Sequence, residues 1–157
     1  MDKLLKLLDA NARLTDAQIA TMLNCTEAEV HARIQTLEKN GIIRAYKALV
    51  DWDKTEKETV TAIIELKVTP RPDVGFEGIA EQIASFEEVE SVYLMSGAYD
   101  LSVRVNGRSL QDIAAFVAKR LAPLESVQAT ATHFVLRRYK ESHVPFLNET
   151  KDERGLF

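Results

Sequence analysis

Two short clusters in this 157-residue chain carry residue types suited to recognition chemistry. The first is Ser96-Gly97-Ala98-Tyr99-Asp100. Gly97 opens backbone conformations closed to other residues, so its amide and that of Ala98 can approach an anion. Asp100 offers a carboxylate to an ammonium group, and Tyr99 supplies a wall. Thr130 and Thr132 alternate on a later segment and add hydroxyls. Amides beside an acid suit a zwitterion such as an amino acid, because either charge is costly to bury unpaired. The plainer alternative is a β-connection whose acid caps its own turn. The second cluster runs from His31 to Lys47, where Arg33, Lys39, Arg44 and Lys47 face a single acid, Glu38, a local balance of 4 − 1 = +3. A basic patch of this kind neutralises phosphates.

Other chemistries lack their residues. There is no glycine-rich nucleotide loop, nucleophile elbow or HExxH zinc motif. His31, His133 and His143 are scattered, and Cys25 is the single cysteine, so neither an internal disulfide nor a multi-thiolate metal site is expected. No metal and no cofactor are expected.

The elements that position the two clusters follow from periodicity and capping. Leu4, Leu5, Leu7 and Leu8 recur at helical spacing. Thr15 precedes a short helix, DAQIATML, and Thr26 with Glu29 makes a capping-box pattern that opens a longer one. Val30, Ile34 and Leu37 form the apolar stripe of that third helix, and Gly41 ends it. Short helix, tight connection and longer helix make a helix-turn-helix. The alternation over residues 42–50 predicts a short β-wing. Residues 51–59 hold six charges and read as a linker.

From residue 60 the period changes to two. Residues 59–68, 89–95, 101–105 and 127–138 read as strands; Phe76 to Phe86 and Leu110 to Leu121 read as helices. The order β-α-β-β-α-β predicts a ferredoxin-like sheet over 60–139 with helices on one face. The other face needs a cover. Its candidates are Ile63, Leu94 or Tyr93, and Phe134 or Ala131 with His133, depending on register. An apolar second face of that width predicts a sheet-to-sheet dimer. Residues 140–157 form a tail. The fold class is therefore α+β, with an N-terminal winged helix-turn-helix at 1–50.

Composition bounds the setting. The chain is 46% hydrophobic and 28% charged, with net charge −4, the profile of a globular protein whose surface as a whole does not attract nucleic acid. The longest stretch free of Asp, Glu, Lys and Arg is 11 residues, Ser126 to Leu136, against the roughly 18 that a membrane span requires. The first residues are charged and lack a signal core. No membrane partner and a cytoplasmic location are expected.

The run DKLLKLLDANARLT, then IATMLNCTEAEVHARIQTLEKNGIIRAYKALVD, then MSGAYDLSV and TATHFVL resembles the Lrp/AsnC (feast/famine) regulators over residues 2 to about 140. The resemblance implies a transcriptional regulator that binds double-stranded DNA through the N-terminal domain. It also implies a small-molecule effector, an amino acid or a relative, near the glycine turn and the last strand: Ser96, Gly97, Ala98, Tyr99, Asp100, Thr130 and Thr132. It further implies a homodimer that assembles into octamers. Under this reading Glu27, Ala28, His31 and Gln35 face bases, Arg33, Lys39, Arg44 and Lys47 meet phosphates, and Thr26 at the helix start belongs to the same DNA-binding set. Asn24 stands where the family often has glycine; asparagine also accepts a left-handed conformation. Glu27 and Glu29 at the start of the recognition helix repel phosphate. The competing readings are a small-molecule-binding oligomer that does not bind DNA and a tetrapyrrole-processing enzyme of the same fold.

Overall fold

The computed structural model describes residues 2–56, 59–73 and 75–147. The chain divides into two compact units, Met1–Val50 and Asp51–Phe157.

In the first unit each helix start has a side chain that satisfies free backbone donors. Helix α1 (Lys3–Ala10) begins where the Asp2 carboxylate accepts the Leu4 N–H at 2.9 Å. Helix α2 (Asp16–Leu23) carries a full capping box between Thr15 and Gln18, and α3 (Glu27–Lys39) another between Thr26 and Glu29. Between α2 and α3 the chain turns at Asn24, which sits in the left-handed region at φ 54°, ψ 51°. Leu4, Leu8, Ile19, Ala20 and Val30 are buried, and Ile34, Leu37, Ile43 and Cys25 pack around them. Cys25 is thus a small apolar filler of the turn. Gly41 ends α3 at φ +67°. The reversal is closed by the Ile42 N–H donating to the Leu37 carbonyl at 2.9 Å. The strand expected over 42–50 is not formed. A strand exists only against a hydrogen-bonded neighbour, and among the described residues none pairs with this segment.

The second unit opens with a 3-10 turn, Trp52–Lys54, inside the stretch expected to be linker. Strands β1 (Val60–Val68), β2 (Val89–Leu94), β3 (Leu101–Gly107) and β4 (Val127–Phe134) pair antiparallel in the spatial order β2-β3-β1-β4. Helix α4 (Glu77–Ala84) links β1 to β2, and α5 (Leu110–Phe116) links β3 to β4. Helix α5 continues into one π-helical stretch, Val117–Leu121, closed by the Ala122 N–H on the Val117 carbonyl. The core is the row Ala62, Ile64, Leu66 and Val68 of β1 with Leu101, Val103 and Val105 of β3, against Ile79, Ile83, Ile113, Phe116 and Leu121.

Strand β4 stops at Phe134, four residues short of the expected end. Phe134 is already opposite Ala62, near the start of β1, so the strand runs out of partner.

Register also settles the second face. Residues paired across a ladder share a side. Ile63 pairs with Arg104 and His133, Glu65 with Ser102 and Ala131, and Tyr93 with Ser102, so these form the face away from the core row. Leu94 and Phe134 pair with Leu101 and Ala62 and belong to the other side. The open face is therefore mixed rather than broadly apolar. His133 lies 3.0 Å from Glu65, and Arg104 Nε lies 3.1 Å from Glu90.

The tail begins as a small hairpin, β5 (Lys140–Glu141) with β6 (Val144–Pro145); residues 148–157 lie outside the described set. Glu141 binds both Arg104 and Arg138, Arg138 stacks on Phe146, and Arg138 also reaches Asp51 at 3.8 Å.

Ile64 is fully buried at the centre of the sheet. Ile64→Ala should destabilise the second unit by about 2–5 kcal/mol, read as a lower urea midpoint with an unchanged slope.

Candidate nucleic-acid interface and ligand-binding turn

Helix α3 has two faces because its apolar residues recur three and four apart. Val30, Ile34 and Leu37 turn inward. Ala28, His31, Gln35 and Lys39, spaced i, i+3, i+7 and i+11, lie on the exposed side, with Glu27 exposed at the helix start. His31 Nδ1 sits 3.0 Å from an Asp16 carboxylate oxygen, and its Nε2 sits 3.0 Å from the Gln35 side-chain nitrogen. Lys39 and Arg44 are exposed near the helix end, and Lys47 follows them. Ala32 and Thr36 are exposed on the same helix and were not among the residues expected to contact DNA.

Two of the residues expected to contact DNA have partners within the chain. Arg33 Nη2 donates to Asp2 at 2.9 Å, the same carboxylate oxygen that caps α1, so its charge is balanced within the protein. The Thr26 side chain accepts from the Glu29 N–H and donates to its carboxylate, which occupies it as a cap. The backbone and hydroxyl donors of Thr26 hold the Glu29 carboxyl below its ordinary pKa.

In the second unit the 96–100 turn joins β2 to β3. The Met95 N–H donates to the Asp100 carbonyl at 2.8 Å, and the Asp100 N–H to the Leu66 carbonyl at 2.9 Å. Gly97 lies at φ +155°, where other residues are strained, and a Cβ there would meet nothing within 4 Å. Its amide and that of Ala98 make no hydrogen bond among the described residues. The Asp100 carboxylate is less available than its sequence setting suggests. One oxygen accepts the Val68 N–H at 2.9 Å, and the other lies 3.2 Å from Lys67 Nζ. The Val68 amide, with smaller help from Lys67, holds Asp100 below its ordinary pKa against the opposing effect of burial. Asp100 thus pins the turn to β1.

Thr130 and Thr132 are not beside that turn. They pair with Leu66 and Ile64 of β1, which in turn pair with Leu101 and Val103. One whole strand separates them from β3, about 10 Å at the spacing of neighbouring strands. Ser96, Gly97, Ala98, Tyr99 and Asp100 come together; the two threonines do not join them within one chain.

A cavity of about 630 Å³ opens at the other end of β3, lined by Val105, Gly107, Ile113, Phe116, Glu87 and Lys119 among others. None of the expected effector residues lines it. Residues from several separate segments build it, so no local spacing announces it. Among the described residues no group of three or more His, Cys, Asp or Glu is placed to hold a metal ion, and no helix is long and apolar enough to cross a membrane.

A helix-turn-helix unit joined to a βαββαβ sheet with a free-amide turn defines a class: a DNA-reading head with a ligand-binding domain. Residues 3–44 match the winged helix-turn-helix DNA-binding family, and residues 61–145 match the Lrp/AsnC ligand binding domain. The chain is 46% identical over 153 residues to the HTH-type transcriptional regulator YugG of Bacillus subtilis, covering 97% of this chain and 92% of that protein. It is 28% identical over 137 residues to the transcriptional regulator LrpA of Pyrococcus horikoshii, covering 87% and 94%. Among solved structures it is similar to the transcriptional regulator NMB0573 of Neisseria meningitidis, crystallised with L-methionine. That likeness has a TM-score of 0.74 at 25% identity and covers 90% of this chain and 93% of that one. The chain belongs to the Lrp/AsnC family of DNA-binding transcriptional regulators.

Glu141 is held below its ordinary pKa, chiefly by its hydrogen bond to Arg104 against an opposing effect of burial, and Asp100 by the Val68 amide. Carboxylates with lowered native pKa stabilise the fold above their unfolded values, about 4, and lose that contribution as pH falls through the lower native values. The second unit should lose stability as the medium is acidified below about pH 4. Glu141→Gln should flatten the dependence in pH-dependent urea melts.

Proposed function

We propose that the exposed face of α3 reads operator DNA and that the 96–100 turn receives an amino-acid effector. The observation that carries the DNA half is the division of α3. An inward apolar stripe leaves Ala28, His31 and Gln35 outward, with Lys39, Arg44 and Lys47 following. Such a helix lies in the major groove with its flanking cations on phosphates. Glu27 narrows the choice of site, since an acid accepts from a cytosine amino group and repels phosphate. Arg33 contributes less, being held by Asp2.

Duplex binding measured against salt tests this reading. A regulator shows a steep negative slope, whereas an oligomeric ligand-binding module shows none. Arg44→Ala should weaken binding to all sequences and reduce the slope by about one, and Arg33→Ala should do so less. An unchanged affinity for Arg44→Ala at fixed salt would remove residues 41–47 from the phosphate contact.

For the effector, the unpartnered amides of Gly97 and Ala98 support carboxylate binding, with Lys67 and Asp100 adjacent as a cation and an acid. The methionine-bound relative supports the ligand class. Thr130 and Thr132 contribute from a second copy of the chain, since within one chain β1 separates them from the turn. This reading requires self-association into dimers and then octamers, with Ile63, Tyr93 and Ala131 on the joined faces, in a cytoplasmic setting. Thermal-shift screening against the twenty amino acids identifies the ligand through the stabilisation that binding gives the folded state. Asp100→Ala should then abolish binding of that ligand by calorimetry while leaving DNA affinity largely intact; equal affinities place the pocket elsewhere. Sedimentation showing only the 17.6 kDa species at micromolar concentration would exclude the assembly.

A further inference from the structure

We infer that Asp16, His31 and Gln35 form a relay that fixes the side-chain amide of Gln35, so that α3 selects a base carrying an exocyclic amine. The inference rests on the reading of α3 as the base-reading helix and adds to it what one position prefers.

The three groups stand in line. Asp16 Oδ2 lies 3.0 Å from His31 Nδ1, and His31 Nε2 lies 3.0 Å from Gln35 Nε2. A carboxylate only accepts hydrogen bonds. Nδ1 therefore carries the proton, and in neutral imidazole the other nitrogen must then be an acceptor. That acceptor is filled by an N–H of Gln35. The order of donors runs in one direction: Gln35 to His31, His31 to Asp16.

A free glutamine presents its amide either way round and reads a base ambiguously. Here rotation by half a turn would set Oε1 against the lone pair of Nε2 and break the bond. With the nitrogen held, Oε1 and the remaining N–H are what an incoming base meets. Oε1 accepts from adenine N6 or cytosine N4, and the N–H suits adenine N7. Guanine O6 and thymine O4 would engage only the N–H and leave Oε1 without a donor, and cytosine N4 would engage only Oε1. Adenine alone satisfies both groups and is expected first. Asp16 belongs to α2 and acts through His31, so it is a positioning residue. Its location on the neighbouring helix is what makes the idea testable.

The experiment is selection of binding sequences from a randomised duplex pool by the full-length protein, followed by affinities for duplexes carrying each of the four bases at the position that Gln35→Ala relaxes. The wild type should favour adenine there by about three- to tenfold, the worth of one net hydrogen bond. Asp16→Asn, which lets either imidazole nitrogen carry the proton, should relax the preference at that same position and leave the other positions intact. His31→Ala should do the same. Gln35→Glu, an acceptor whichever way it turns, should keep the preference for amines. A thermal melt accompanies each variant. A wild type that favours keto bases at that position, an intact preference in both Asp16→Asn and His31→Ala, or no position relaxed by Gln35→Ala would overturn the relay and leave DNA binding standing. A wild type with no salt-dependent duplex binding would overturn both.

Discussion

Strand β1 is hydrogen-bonded on both sides, to β3 along residues 60–66 and to β4 along residues 62–68. A central strand with a continuous inward row of Ala62, Ile64, Leu66 and Val68 can slip by one residue only by sending that whole row to the opposite face. Much of the second unit inherits its position from this register. The core helices pack on the row. The 96–100 turn is set by it as well, because Asp100 holds the Leu66 carbonyl with its amide and the Val68 amide with its carboxylate. The same pairing places Thr130 and Thr132 on the far side of β1. Once Asp100 is anchored, the neighbouring amides of Gly97 and Ala98 are left without a hydrogen-bond partner among the described residues.

In the first unit the governing device is local. Each helix start is closed by a side chain two or three residues away, so the helix-turn-helix is specified over spans of a few residues. That is why it was legible. Thr26 with Glu29, the left-handed tolerance of Asn24 and the stop at Gly41 can all be read without knowing the fold. The capping box of Thr15 with Gln18 carries the same signature and adds a second fixed helix start. By contrast, the Arg33–Asp2 pair joins residues 31 apart, and no local pattern distinguishes a phosphate-seeking arginine from one already neutralised.

The second unit shows where one-dimensional reading stops. Alternation located the strands and their order, since period two survives without knowledge of neighbours. It could not say which of Tyr93 or Leu94, or of His133 or Phe134, faces outward, because that depends on the register in which separate strands pair. Alternation puts Glu65 and Lys67 on the face of Ile63, but it takes register to add Arg104 and Tyr93 to that face. The end of β4 escapes alternation for a related reason: residues 135–138 keep the alternating pattern although the neighbouring strand begins only at Val60. Asp100 was legible as a functional-looking acid and as a turn cap alike. The bond from the Val68 amide, 32 residues away, ties it to β1 in the folded chain.

The cluster around Arg138 has a topological meaning as well as an electrostatic one. Arg138 touches Asp51, where the second unit begins, and Glu141, near the end of its described part. One guanidinium thus ties the first residue of the unit to the hairpin that follows β4. A unit whose entry point is fastened from within can be separated from what precedes it with its sheet still closed, so another head could be joined at residue 51.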